Sequence, residues 1–292
     1  MPNSGILLVD KPMDMTSHDL VNIARKVFHT KKIGHTGTLD PDATGVMVLC
    51  INQATRLNEY LTADDKRYQV TIKFGEETDT QDISGTVVKT ASLPTLDRQA
   101  FEAMLETFVG EQLQTPPLYS AIKKDGKPLY KYARAGIDVG ELPQRAVTIY
   151  GIDCLAYDGK TAVINVHCSK GTYIRTLCQD IGRRAESAAC MSALRRETVG
   201  DFSLENCLSV EALKASDHPY ELLLPMNEVL DMPELIIPDQ ATLTKIFNGN
   251  QVGLQAENAC ADEMIKATYE GQLIAVGKQV GDMFQPKKVF QQ

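Results

Sequence analysis

Residues 34–46 read GHTGTLDPDATGV and run straight into the apolar stretch Val46-Met47-Val48-Leu49-Cys50-Ile51. Asp40 stands directly before Pro41, and a following proline pushes a residue out of the helical region toward extended backbone. Asp40 is therefore expected on a stiff loop rather than a helix face. Gly34, Gly37 and Gly45 let the chain bend or approach another group closely. The apolar stretch has the length and composition of a buried strand. A carboxylate on a rigid loop at the mouth of a buried strand is a sensible place for chemistry. The same residues also fit an ordinary turn capped by Asp40 or Asp42.

Composition fits a globular protein. At 292 residues the chain can bury a sizeable core. The start, MPNSGILLVDKP, has no basic segment followed by an apolar one, so no signal peptide is expected. No apolar run approaches the roughly 20 residues that span a bilayer. The seven cysteines, at 50, 154, 168, 178, 190, 207 and 260, are scattered and form no CxxC or Cys/His cluster. Neither a zinc site nor a disulfide framework is indicated, and reduced thiols in the cytoplasm are expected.

The net charge of -8 repels phosphate over the molecule as a whole. Its distribution is uneven. Lys123, Lys124, Lys127, Lys131 and Arg134 oppose only Asp125. Lys170, Arg175, Arg183, Arg184, Arg195 and Arg196 oppose Asp180 and Glu186, and Arg25, Lys26, Lys31 and Lys32 form a third group. Such patches suit nucleic acid, although each also reads as a solvated face.

Strands are expected at Gly5 to Val9, Arg67 to Phe74, Thr86 to Lys89, Val147 to Leu155 and Ala162 to Cys168. Helices are expected from a Thr16 or Ser17 cap to Phe28, and over Ala54 to Leu61, Leu96 to Phe108 and Ile174 to Ala185. The segment QTPPLYSAIKKDGKPLYKYARAG is basic, Tyr-rich and Pro-punctuated, an excursion from the main body. A linker with three prolines, Leu224 to Pro238, precedes a small β-rich module with a helix at Thr242 to Phe247 and a hairpin about Glu270-Gly271. From Pro233 to Gln292 five Lys face seven Asp or Glu, a balance that does not favour strong binding of nucleic acid by this module.

Three more segments bear on chemistry. Tyr68, in KRYQV, can stack on an unpaired base or simply fill an apolar strand position. Tyr173 and Arg175, in KGTYIRTL, share one side if that segment is extended, and Arg175 can pair with a carboxylate such as Asp40 through its planar fork. Otherwise it is an ordinary surface Arg at a helix start. Leu194-Arg195-Arg196 places an apolar side chain beside two cations, as an amphipathic helix also does.

Together these segments resemble the TruB family of tRNA pseudouridine synthases. The resemblance runs over GILLVDKP, GHTGTLDPDATGV, ATR at 54–56, KRYQV, QTPPLYSA, DGKPLYKYAR, CSKGTYIRTL and ALRRETVGDF, roughly residues 5 to 205. It implies an α+β fold: a catalytic domain, 1–232, with a central mixed, mainly antiparallel sheet flanked by helices, and a PUA-like domain, 233–292. A flexible insertion at about 115–145 would close over the T-arm. The implied activity is isomerisation of uridine to pseudouridine at position fifty-five of the T-loop, in elongator and initiator tRNA. It implies a cytoplasmic monomer without cofactor, metal, guide RNA or membrane. Asp40 would be the essential aspartate, Arg175 its partner, and Tyr173 the acceptor of the C5 proton. Tyr68 would stack on the target base, Leu194 would pack against it, and His35 would enter the RNA stack. Lys11 and Arg56 would be basic groups near the site. One departure stands out: Ala185-Glu186 occupies the place of a usual Leu-Gly pair.

The implied chemistry is physically coherent. Breaking C1′–N1, rotating the ring and joining C5 to C1′ cannot happen inside a stack, so the base must flip out, at a cost of a few kcal/mol. A carboxylate serves as nucleophile or base without a cofactor, and GHTGTLDPDATG lacks the Lys-Ser/Thr of a phosphate-binding P-loop. Specificity would rest on RNA shape and extruded bases. A non-catalytic tRNA-folding protein using the same cleft is the alternative from another class. A metal hydrolase built on His35, Asp40 and Asp42 is a third reading, without the fixed spacing of strong metal motifs.

Overall fold

The computed structural model describes residues 3–62, 65–120, 122–253 and 263–291; Cys260 and part of the C-terminal module lie outside them. From the N-terminus, β1 (Gly5–Lys11) leads to α1 (Ser17–Val27), β2 (Ile33–His35) and β3 (Thr44–Ile51). Thr16 caps α1 reciprocally: its hydroxyl accepts from the Asp19 amide at 3.0 Å, and the Asp19 carboxylate accepts from the Thr16 amide at 3.1 Å. Such a cap contributes about 1 kcal/mol. Next come α2 (Asn58–Leu61), β4 (Lys66–Phe74), the hairpin β5 (Glu76–Thr78) and β6 (Val87–Thr90), α3 (Arg98–Glu106) and β7 (Gly110–Gln114). The Pro-punctuated excursion carries a minimal hairpin, β8 (Lys123–Lys124) with β9 (Lys127–Pro128), and α4 (Leu129–Arg134). Then follow β10 (Arg145–Tyr157), β11 (Thr161–Cys168), α5 (Ile174–Arg184), β12 (Ala189–Val199), β13 (Phe202–Ser203) and α6 (Val210–Ala215).

The main sheet has nine strands, in the order β1-β3-β12-β4-β11-β10-β7, with β2 beside β3 and β13 beside β12. Only the β12–β3 contact is parallel. The sheet is thus mixed and mainly antiparallel, as expected. β3 explains its unbroken apolar run. Met47, Leu49 and Ile51 face one core with α1, α3, α5 and α6; Val46, Val48 and Cys50 face a second core on the opposite side. A strand buried on both faces shows no alternation.

The C-terminal module is a five-stranded sheet of β14 (Glu234–Ile236), β15 (Val252–Gly253), β16 (Met264–Tyr269), β17 (Gln272–Val280) and β18 (Met283–Val289), packed by α7 (Gln240–Phe247). Glu270 (φ 49°) and Gly271 (φ 75°) make its hairpin turn, the two positive-φ positions a tight two-residue turn demands. Leu273, Val276 and Phe290 bury themselves with Ile6, Val46 and Val48, so module and main sheet share a core.

Several expectations are corrected. Ala54 to Leu61 is not one helix: a 3-10 stretch, Asn52–Leu57, precedes the single turn of α2. Ser192 to Arg196 is strand, not amphipathic helix, because β12 pairs with both β4 and β3. Tyr173 and Arg175 do not share an extended segment; Tyr173 caps α5 and Arg175 lies in its first turn. The proline-rich stretch is only partly linker, since Leu224 bonds Ile6 and Glu234–Ile236 pairs with β16.

Candidate functional site

A cleft of about 850 Å³ opens where the Asp40 loop, the edge of β4 and β12, the β5–β6 turn, the excursion and the start of α5 meet. Three side chains brace the Asp40 loop from beneath. The Ser17 hydroxyl accepts from the Leu39 amide and donates to the Leu39 carbonyl, both at 2.9 Å. The Lys11 ammonium donates to the Pro41 carbonyl at 3.0 Å. Arg196 donates to Val46 O at 2.7 Å and to Gly37 O at 3.2 Å, bonding both ends of the loop. Gly45, at φ 108°, lies so close to β12 that a Cβ would sit 2.1 Å from Arg196 O.

Asp40 and Arg175 meet despite their separation in sequence. Arg175 Nε stands 3.1 Å from Asp40 Oδ2 and Nη2 stands 3.5 Å from Oδ1, a fork-on-carboxylate arrangement. Arg175 is at a helix start, yet it is no ordinary surface Arg: it is 7% exposed. Its remaining donors reach Thr80 O at 3.0 Å and Tyr119 O at 2.9 Å, and Asp82 flanks it at 3.6 Å. The guanidinium is therefore aimed before any substrate arrives. Burial raises the Asp40 carboxyl above its usual range; Arg175 opposes this, and Asp82 and Asp42 add to the rise.

The other expected residues divide. Tyr68, Leu194 and Tyr173 line the cleft with Asp40 and Arg175. Burial raises the Tyr68 and Tyr173 phenols, so both rings carry neutral hydroxyls. Lys11 lies beneath the cleft, fully buried, its ammonium held by the carbonyls of Pro12, Met15 and Pro41 and pushed down to about 8 by burial. His35 sits half-buried beside the cleft on β2; burial lowers its pKa and its Nδ1 has no hydrogen-bond partner. Arg56 is elsewhere: it donates to Val289 O and covers the Phe290 ring at 5.1 Å, tying down the C-terminal strand. The 3-10 stretch that carries it packs on the second core, away from the cleft.

Sequence reasoning did not single out Thr80, Asp82 or Tyr119, which hold Arg175. The TDTQDISG run has the Asp, Thr and Gly content of a structured turn, a signal of a turn but not of its partner. Among the described residues, no three His, Cys, Asp or Glu side chains gather as a metal-holding group, so His35, Asp40 and Asp42 do not converge. No described helix is long and apolar enough to cross a membrane.

Residues 25–174 match the TruB family pseudouridylate synthase N-terminal domain, and residues 175–231 match the tRNA pseudouridylate synthase B C-terminal domain. A tRNA pseudouridine synthase B of Bordetella pertussis is 48% identical over 227 residues, 77% of this chain and 93% of that protein. That of Dechloromonas aromatica is 41% identical over 290 residues, 98% of this chain and 95% of its own. In shape, the chain is similar to one in the structure of an H/ACA RNP bound to a substrate RNA containing 2′-deoxyuridine, with a TM-score of 0.75 at 21% identity, covering 99% of this chain and 86% of that one. With family domains matched in tandem and relatives 41–48% identical over 77–98% of the chain, this chain belongs to the TruB family of pseudouridylate synthases.

Proposed function

We propose that this protein isomerises uridine to pseudouridine in tRNA, at position fifty-five of the T-loop. The observation that carries the reading is the Asp40–Arg175 pair, preset at 3.1 Å on the floor of an open cleft. The target base flips into this cleft, at a cost of a few kcal/mol, and packs between Tyr68 and Leu194. Asp40, ionised and aimed by Arg175, attacks the sugar or ring, or removes a sugar proton, as the C1′–N1 bond breaks. The ring turns, C5 bonds to C1′ as Asp40 leaves or the sugar proton returns, C5 releases its proton toward Tyr173, and N1 takes up a proton. Because Tyr173 carries a neutral hydroxyl, it accepts that proton only as its own leaves.

Tyr119, Tyr130 and Arg134 bring the excursion of residues 115–145 to the rim of the cleft; there it closes over the T-arm. His35 stands beside the cleft, where it enters the RNA stack. Residues 1–232 form the catalytic unit and 233–292 an accessory module. The enzyme acts as a cytoplasmic monomer without guide RNA.

Mapping the product tests this reading. An unmodified tRNA transcript incubated with the protein should acquire a single pseudouridine in its T-loop, and an isolated T-arm should suffice. Conversion elsewhere, or conversion of every exposed uridine, would overturn the assignment of the site.

A further inference from the structure

The charged groups around the cleft are compensated unequally. Arg175 has Asp40 and Asp82, and Arg195 has Asp10 at 2.8 Å. Arg196 has no carboxylate partner among the described residues. It is 2% exposed, and its hydrogen bonds go to the carbonyls of Val46 and Gly37 and to the Met47 sulfur at 3.1 Å, all neutral acceptors. Burying a guanidinium without a counter-ion is costly, even one that braces two loop carbonyls. An uncancelled charge in a low-dielectric wall acts strongly on what lies next to it.

What lies next to it is Tyr68. Arg196 and Tyr68 are directly opposed across the β12–β4 ladder, and both line the cleft. The two side chains interact, the cation favouring negative charge on the phenol oxygen against the effect of burial. Leu194, two residues along β12, lines the same cleft. Arg196 is thus the polar group behind the ring on which the flipped base is to rest.

Resting on the isomerase reading above, we propose that Arg196 is a positioning residue that polarises the Tyr68 hydroxyl toward the cleft, so that this hydroxyl stabilises the negative charge the uracil ring acquires as it leaves the sugar. When C1′–N1 breaks, its electron pair stays with the ring, spread over N1 and the two carbonyl oxygens. C1′ is left electron-poor and is satisfied by the Asp40 carboxylate or by loss of the neighbouring sugar proton. The charge on the ring is consumed when C5 bonds to C1′, as the Asp40 carboxylate is displaced from C1′ or the sugar proton returns; C5 then gives up its proton while N1 takes one up, so substrate and product have the same composition. Tyr68 touches the ring; Arg196 acts through it.

Single-turnover conversion of a tRNA tests this with Arg196→Lys, Arg196→Gln and Tyr68→Phe, each also on a transcript carrying 5-fluorouridine, whose ring bears negative charge more readily. The readout is cleavage of the original C1′–N1 bond, with RNA affinity measured in parallel. Arg196→Gln and Tyr68→Phe should each slow cleavage about 100-fold, the scale of losing one preset donor, with affinity unchanged. Arg196→Lys, which keeps the charge, should lose about 10-fold or less. The Gln and Phe losses should shrink about 10-fold on the fluorinated substrate, and the double variant should be no slower than the slower single one. Equal losses for Lys and Gln, losses blind to fluorine, or additive losses would overturn the proposal. If Arg196→Gln does not fold, Tyr68→Phe and Arg196→Lys on the two substrates decide it. A wild-type protein that converts no tRNA uridine would overturn the isomerase reading instead.

Discussion

Replacing Gly45 with Ala probes how the sheet holds the Asp40 loop. Gly45 has φ 108°, and an added Cβ would lie 2.1 Å from Arg196 O, 2.7 Å from Arg196 N and 2.8 Å from its carbonyl carbon. Those atoms belong to β12, a central strand hydrogen-bonded on both sides, and cannot retreat as a side-chain tip can. Backbone strain at such a φ costs about 1–3 kcal/mol, and forcing atoms into a packed core costs about 1–3 kcal/mol more. The middle of that range, about 4 kcal/mol, corresponds to a fall in melting temperature of roughly 6–7 °C for a chain of this size. The other two motif glycines provide internal controls. A Cβ on Gly37 meets only the Arg196 Nη1 tip at 3.3 Å, and one on Gly34 meets only Thr55 Cγ2 at 3.9 Å. Thermal and urea unfolding should therefore rank Gly45→Ala far below Gly37→Ala, with Gly34→Ala within about 0.5 kcal/mol of wild type. A Gly45→Ala protein that melts with wild type, or a Gly34→Ala protein that falls as far, would refute this account of the loop.

Other consequences are equally specific. Glu186 ends α5 at φ 54° with Ser187 N bonded to Gly182 O at 2.9 Å, a left-handed cap that suits glycine, so Glu186→Gly should stabilise the fold by about 0.5–1 kcal/mol in urea unfolding and leave conversion unchanged. Burial raises Asp40 while Arg175 lowers it; with the ionised carboxylate as the reacting form, kcat/KM should fall on the acid side along a limb above the ordinary carboxylate range. Arg175→Gln should move that limb to still higher pH, and an unmoved limb would contradict the pairing. Arg56→Ala should cost about 1 kcal/mol of stability through the lost contact with Phe290 while the KM for tRNA stays put; a raised KM would return Arg56 to the RNA-binding surface.

Local pattern made much of this fold legible. The alternation Tyr68, Val70, Ile72, Phe74 is β4 because one face of that strand is buried. The four-residue spacing of α1 and its Thr16–Asp19 cap are local facts that tertiary structure did not override. The reading failed where neighbours decide. Leu194-Arg195-Arg196 has no strand signature of its own, and two flanking strands make it β12. Arg56 is expected near the site, but the end of the C-terminal strand, far along the chain, holds it against Phe290 instead. The site shows the same division. That Asp40 sits on a loop was legible from Pro41, but Asp82, Thr80 and Tyr119 hold Arg175 through contacts of long sequence separation, which no spacing encodes.

The most direct measurement is single-turnover formation of pseudouridine in unmodified tRNA, with EDTA present, for wild type and Asp40→Asn side by side, with RNA binding recorded for both. The account predicts conversion of one T-loop uridine by wild type, none by Asp40→Asn, and equal binding by the two. Conversion by Asp40→Asn at the wild-type rate would remove Asp40 from the chemistry. Binding without conversion by wild type would make the protein a tRNA-folding factor that uses this cleft only to hold RNA.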